Sequence, residues 1–120
     1  MAKSRQVARF EQRLAAIPQA VRAAVQPALD QSADELVTTM RRLAPVDEGD
    51  LQESIHKEPG DNPLSRKVLT EDYKARWNEF GTTNMAPSPF FWPSFRLKKK
   101  RLANRIKRAV SKAVKKEWQR

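Results

Sequence analysis

The chain of 120 residues carries a net charge of +10 at pH 7, and 39% of its residues are hydrophobic and 32% charged. This length indicates one domain over 1–120 with a modest core, and the absence of cysteine excludes disulfides and cysteine-based zinc sites. No apolar run is long enough to span a membrane, and Arg9, Glu11 and Arg13 interrupt the stretch that an export signal would need to be apolar.

Residues 1–44 have the periodicity of a long helix. Apolar residues recur at alternating spacings of three and four over 7–21 and again over 29–43. Pro18 and Pro27 interrupt this pattern, which predicts kinked helical segments rather than a straight rod. About 40 continuous helical residues would span roughly 60 Å, but a compact domain of this length has a radius of gyration of about 13–14 Å. We therefore expect the segment to fold back on the body or to project onto a neighbouring subunit.

The predicted helix ends at Pro45, and residues 46–50 have the composition of a turn. Asp50 and Glu53 have the spacing of a capping box, so a helical turn capped by Asp50 is expected here. The apolar residues of this helical turn can then point inwards.

The rest of the predicted body, which as a whole covers 45–93, contains a small antiparallel sheet. Two short strands are expected over 54–58 and 66–70, and the turn-rich residues 59–63 lie between them. His56 is interpreted as an exposed strand residue.

A short helix is predicted from Tyr73 to Phe80, where Trp77 completes an aromatic face. Gly81 stands at the C-cap position, where a positive φ is expected. We expect Trp77 and Phe80 to pack inwards. Glu79 is a candidate interface residue, and the alternative is a solvated carboxylate.

Residues 85–93 combine three prolines with the rings of Phe90, Phe91 and Trp92. The prolines predict extended geometry. Burying all three rings would take nearly all the core that a body of this size provides, and aromatic residues are favoured at interface centres. All three rings are therefore candidate interface residues.

The last segment, 94–120, is predicted to be a long basic amphipathic helix. Twelve of the 24 Lys and Arg residues lie from Arg96 onwards, against Glu117 as the single acidic residue, and the remainder of the chain is close to neutral. The apolar stripe consists of Leu102, Ile106, Val110, Ala113 or Val114, and Trp118.

Three interpretations of these cations remain open. They contact DNA, they bind an acidic face of a partner protein, or they form a solvated surface. Trp118 favours a protein contact. The candidate contacts to DNA or to an acidic partner are Lys98, Lys99, Lys100, Arg101, Arg105, Arg108 and Lys112.

Catalysis finds little support. A single histidine excludes a multi-histidine metal site, and the scattered glycines exclude a phosphate-binding loop. The acidic group at residues 47–53 lacks the spacing of a calcium loop, and turn chemistry and helix capping explain it. We predict no enzymatic activity and no cofactor.

Three stretches, in this order, resemble the signatures of one family: APVDEGDLQESI at 44–55, YKARWNEFGT at 73–82 and APSPFFWP at 86–93. We call them the first, second and third motifs. The chain thereby resembles the small neck and tail-completion proteins of long-tailed phages, which are similar to minor tail protein Z of lambda-like phages. Within these motifs, the residues expected to have structural roles are Pro45, Asp47, Gly49, Asp50, Leu51, Phe80 and Gly81.

The resemblance implies an α+β subunit with a long kinked N-terminal helix, a small antiparallel sheet, a short central helix and the basic C-terminal helix. It implies assembly into a ring at the head–tail junction of the virion, with connector, stopper, terminator or tail-tube proteins as partners, and no catalytic residues. The second hypothesis is a small protein that binds nucleic acid non-specifically through the basic helix. Association of that helix with a membrane surface ranks third.

Overall fold

The computed structural model describes residues 4–15, 17–45 and 49–118. This part of the chain forms five helices and a two-stranded antiparallel sheet, which confirms the predicted α+β class. In chain order the elements are α1 (Arg5–Ala15), α2 (Gln19–Leu43), α3 (Asp50–Ser54), β1 (His56–Pro59), β2 (Arg66–Leu69), α4 (Tyr73–Phe80) and α5 (Phe91–Trp118).

The two longest helices, α2 and α5, pack against each other and form the frame of the molecule. The main core lies where α3 and the residue before α5 meet this pair. Met40, Ile55 and Phe90 are its largest fully buried side chains. The whole cluster consists of Leu36, Val37, Met40, Ala44, Leu51, Ile55, Phe90 and Leu102. A smaller cluster further along the pair joins Val21 and Val25 to Ala113.

The kinked N-terminal helix consists of two helices. Pro18 occupies the N-cap of α2, where its missing N–H leaves no helical hydrogen bond unmade, whereas Pro27 lies inside α2. Residues 5–9 of α1 are exposed. The radius of gyration is 17.5 Å and the molecule measures 60 × 32 × 20 Å, so the chain is more elongated than a compact domain of its length.

The first motif turns the chain back onto α2. Gly49 adopts φ +83°, the left-handed conformation that favours glycine, and takes the N-cap position of α3. Asp50 is therefore inside the helix and its side chain caps nothing, so the predicted capping box is wrong. Leu51 is buried, as expected. Asp47 and its two neighbours lie outside the described residues.

Side-chain hydrogen bonds hold this turn in place. The Arg41 guanidinium donates to the carbonyl oxygen of Ile55 from Nε at 3.0 Å and from Nη2 at 2.7 Å. In return the Gln52 amide donates to the Arg41 carbonyl oxygen at 2.8 Å. The backbone groups left unpaired at the ends of α2 and α3 are thus satisfied by each other's side chains.

The hairpin pairs β1 with β2 from His56 opposite Leu69 to Pro59 opposite Arg66. Both predicted strands are confirmed, although β1 begins and ends later than expected. Ionic contacts fasten the hairpin to α2, since Arg66 Nε lies 2.6 Å from Asp30 Oδ1. His56 is a half-buried strand residue whose ring binds nearby groups of the hairpin.

Candidate interaction surfaces

The carboxylate of Glu79 holds the start of α5. Its Oε1 atom accepts hydrogen bonds from the backbone N–H groups of Phe90 and Phe91, both at 2.9 Å, and Oε2 accepts one from Trp92 at 3.1 Å. The first N–H groups of a helix have no partner within it, and a negative charge there also complements the helix dipole. Glu79 of α4 thus caps the N-terminus of α5. Both oxygens of this candidate interface residue are used inside the chain.

A tight loop brings α4 and α5 together. Gly81 adopts φ +77°, which confirms the predicted positive φ, and its N–H donates to the Trp77 carbonyl at 2.7 Å. A Cβ atom at Gly81 would lie 2.9 Å from the carbonyl oxygen of Met85, so glycine alone fits without a shift of the backbone. Further along, the Ser88 N–H donates to the carbonyl of Asn78 at 2.7 Å.

The helix α5 begins at Phe91, before the expected start at residue 94. The prediction that 85–93 is extended throughout is therefore wrong at its end. Pro93 lies in the first turn of α5, where its missing N–H leaves no helical bond unmade. Phe90 is fully buried in the core of the chain itself, so this candidate interface ring has no exposed surface to offer a neighbour.

Four large rings are exposed where α4 lies beside the start of α5. We call Tyr73, Trp77, Phe80 and Trp92 the aromatic surface; their exposed fractions are 64%, 49%, 67% and 49%. The prediction that Trp77 and Phe80 pack inwards is wrong. The residue that α4 packs against the core is Ala75, and this helix has no buried residue. The core contact uses a small side chain, and the large rings remain in solvent.

Contacts between rings order this surface. Tyr73 and Trp77 meet edge to face with their centroids 4.8 Å apart, and Phe91 meets Trp92 in the same way at 5.4 Å. Edge-to-face pairs of this kind are favourable beyond the area they bury. Phe80 and Trp92 also line a shallow groove of about 300 Å³, in which the half-buried Phe91 forms part of the wall.

Two of the α5 cations are bound to Glu35 of α2. Arg105 Nη1 lies 3.3 Å from Glu35 Oε2, and Arg101 Nε lies 3.2 Å from Oε1. Partial burial raises the pKa of Glu35, but the hydrogen bond and charge of Arg105 and the charge of Arg101 together lower the pKa below its ordinary value. Arg105 is largely buried, so this candidate for DNA or an acidic partner is instead a contact within the chain.

The other candidate cations remain at the surface. Lys99, Lys100, Arg108 and Lys112 are exposed, and Lys98 is half-buried. Within the described part of the chain, none of the five forms an ion pair with a carboxylate. A shallow depression on α5 is lined by five exposed residues, which we call the outer face: Lys107, Arg108, Ser111, Lys112 and Lys115.

The apolar stripe of α5 divides along its length. Leu102 and Ala113 are buried against the body, as predicted. Val110 and Val114 are about 40% exposed, and Trp118 is 84% exposed. Trp118 therefore makes little contact with its own chain and stays a candidate interface residue.

The described residues offer no group of three or more His, Asp or Glu side chains placed to hold a metal ion. Among the described helices, none is long and apolar enough to cross a membrane.

Sequence reasoning missed the capping role of Glu79, which it singled out only as a candidate interface residue, and missed Glu35 altogether. One signal for Glu79 was present, because Pro93 suits a first helical turn while no Ser, Thr, Asp or Asn stands directly before Phe91. A helix start without a local cap requires a partner from elsewhere. The pairing of Glu35 with α5 has no local signal at all, since about 70 residues separate the partners in sequence.

Residues 8–81 match the family model described as "Bacteriophage HK97-gp10, putative tail-component". The match covers well over half of the chain and contains the first two motifs nearly entire; the third motif and α5 lie beyond it. No curated protein and no solved structure gives a significant match. The chain belongs to the HK97 gp10-like family of bacteriophage tail components.

Proposed function

We propose that the chain is a structural subunit of the phage head–tail junction, a neck or tail-completion component that assembles as a homo-oligomeric ring. Its partners would be connector, stopper, terminator or tail-tube proteins, and assembly would take place in the host cytoplasm. The likeness of the three motifs to neck and tail-completion proteins, minor tail protein Z among them, supports this location. The proposed role requires no catalytic residue and no cofactor.

The observation that carries the proposal is the aromatic surface. Its four large rings are each about half or more exposed, and exposed apolar side chains grouped on neighbouring elements mark interaction sites. Tyr and Trp are also the residues most enriched at the energetic centres of interfaces. A tail component must bind other virion proteins, and this surface is prepared to do so.

The aromatic surface also discriminates against the second hypothesis. A small protein that only binds nucleic acid through α5 gains nothing from exposing Tyr73, Trp77 and Phe80 on α4. The contacts of Glu79 orient these rings relative to Trp92. This arrangement fits a surface for protein partners.

The proposal is tested with the paired substitutions Phe80→Ala and Trp92→Ala, introduced into a phage or prophage that lacks the wild-type copy. Incorporation into tailed particles should fall roughly tenfold or more, because rings at an interface centre carry much of the binding energy. Since both rings are exposed, the urea midpoint of the isolated chain should change little.

Leu97→Ala is the matched control, because Leu97 is 68% exposed and lies outside the aromatic surface. This variant should assemble like the wild type. Equal losses of folding and assembly in the double variant would contradict the proposal. So would a wild-type chain that is absent from tailed particles.

A further inference from the structure

We propose that the outer face of α5 binds the phosphate backbone of duplex DNA without sequence preference. Lys107, Arg108, Lys112 and Lys115 are exposed there. No described carboxylate forms an ion pair with any of them. The four positive charges therefore meet solvent from one side of one helix.

The chemistry of the outer face suits a polyanion better than a protein. Its fifth residue is Ser111, so no apolar side chain lines the depression. Protein interfaces have an apolar core and are depleted in lysine, whereas phosphate recognition uses lysine and arginine charges. The exposed apolar residues in the same part of the helix, Val110, Val114 and Trp118, do not line it.

The length of the face also fits. The segment 107–115 covers about 12 Å along a helix axis, and duplex DNA presents about seven phosphates over that distance. Meanwhile the single carboxylate of Glu35 on α2 is shared by Arg101 and Arg105 of α5. Unpaired cations lie along the whole of α5, and those of the outer face are the ones that line a single depression.

The binding itself does not depend on where the protein sits in the virion. Only the identification of the ligand as the genome that passes through the junction rests on the proposed function. Binding in solution and incorporation into particles are therefore measured separately, so that failure of one is distinguishable from failure of the other.

The test is filter binding of a short random-sequence duplex to the full chain at about 50 and 200 mM salt. The variant carries Arg108→Gln, Lys112→Gln and Lys115→Gln, which keep good helix propensity at exposed positions. The slope of log K against log salt is negative, and each lost phosphate contact makes it less steep by about 0.9. In the variant the slope should therefore be less steep by about 2.7. The loss of affinity between the two salt concentrations should then be about 40-fold smaller than in the wild type.

The matched control carries Arg5→Gln, Arg9→Gln and Arg13→Gln, which remove the same charge from exposed positions of α1. Its slope should remain that of the wild type. Equal weakening in both variants would show that net charge alone attracts DNA, and would overturn the proposal. Displacement of the DNA by polyglutamate at equal charge concentration would reassign the face to an acidic protein. Negligible binding of the wild type at low salt would overturn the proposal outright.

Discussion

The first and second motifs share a backbone feature but place their apolar side chains in different environments. Each has a glycine with positive φ at a helix terminus, Gly49 before α3 and Gly81 after α4. The apolar side chains that follow Gly49 are buried, since Leu51 is 5% exposed and Ile55 is fully buried. The rings that precede Gly81 lie in solvent. One motif thus builds the core, and the other builds a surface.

This contrast shows that apolar residues at helical spacing do not by themselves mark a core. A helix buries the face that its neighbours allow it to bury, and in α4 that face belongs to Ala75. Aromatic residues left outside are then available to partners. The difference between the two motifs can be tested by substitution.

The largest expected effect separates the buried from the exposed apolar residues. Ile55→Ala should lower the free energy of unfolding by about 2–5 kcal/mol, because it leaves a cavity in the core. Phe80→Ala should lower it by less than about 1 kcal/mol, since the ring is 67% exposed. Urea denaturation followed by circular dichroism measures both. Similar losses would mean that the two motifs contribute alike to the core.

The two glycines should differ as well. Gly81→Ala is expected to cost about 2–4 kcal/mol, because the new methyl group meets the Met85 carbonyl in addition to the strain of positive φ. Gly49→Ala should cost about 1–2 kcal/mol, since a Cβ there has no neighbour within 4 Å. Thermal unfolding of the two variants shows which substitution costs more stability. A larger loss at Gly49 would contradict the expected order.

The cap of α5 should have an intermediate effect. Glu79→Gln removes the negative charge and one of the two acceptor oxygens, which should cost about 1–2 kcal/mol of stability. Glu71→Gln is the control, an exposed carboxylate of the same charge outside this cap. Denaturant titration of both variants measures the difference. Equal stability would show that Glu79 does not hold α5.

The smallest effect concerns pH. The pKa of Glu35 is lowered in the folded chain, so its pair with Arg105 stabilises the fold fully above the ordinary glutamate pKa. This stabilisation is lost as the pH falls through the lowered pKa. We expect about 1 kcal/mol or less, because the pair is partly exposed. The free energies of unfolding of the wild type and of Glu35→Gln should converge at acid pH. If the difference between them did not change with pH, the stabilising pair between Glu35 and Arg105 would be refuted.

The sequence predicted the elements of this fold well, because periodicity, prolines and glycines act locally. Both strands, the short helix before Gly81 and the basic terminal helix were expected close to where they occur. The start of α5 was misplaced because three prolines suggested extended chain, whereas Pro93 is compatible with a first helical turn.

The candidate surfaces were less predictable, because they depend on which elements meet. Arg105 looks like any other cation of α5 in sequence, yet Glu35 of α2 binds it. Phe90 and Trp92 are two residues apart, yet one is buried and the other is half-exposed. Phe90 packs into the core cluster, whereas Trp92 lines the shallow groove beside α4.

The charge of this chain is segregated, since most of the unpaired cations lie on α5 while the aromatic surface begins on α4. Added electrolyte should therefore have opposite effects on association through the aromatic surface and on DNA binding by α5. It screens the repulsion between copies that each carry +10, which would favour the proposed association through the rings. The same electrolyte would compete for phosphates and release DNA from the proposed site on the outer face. Ionic strength alone would then shift the protein from a DNA-bound to a self-associated form.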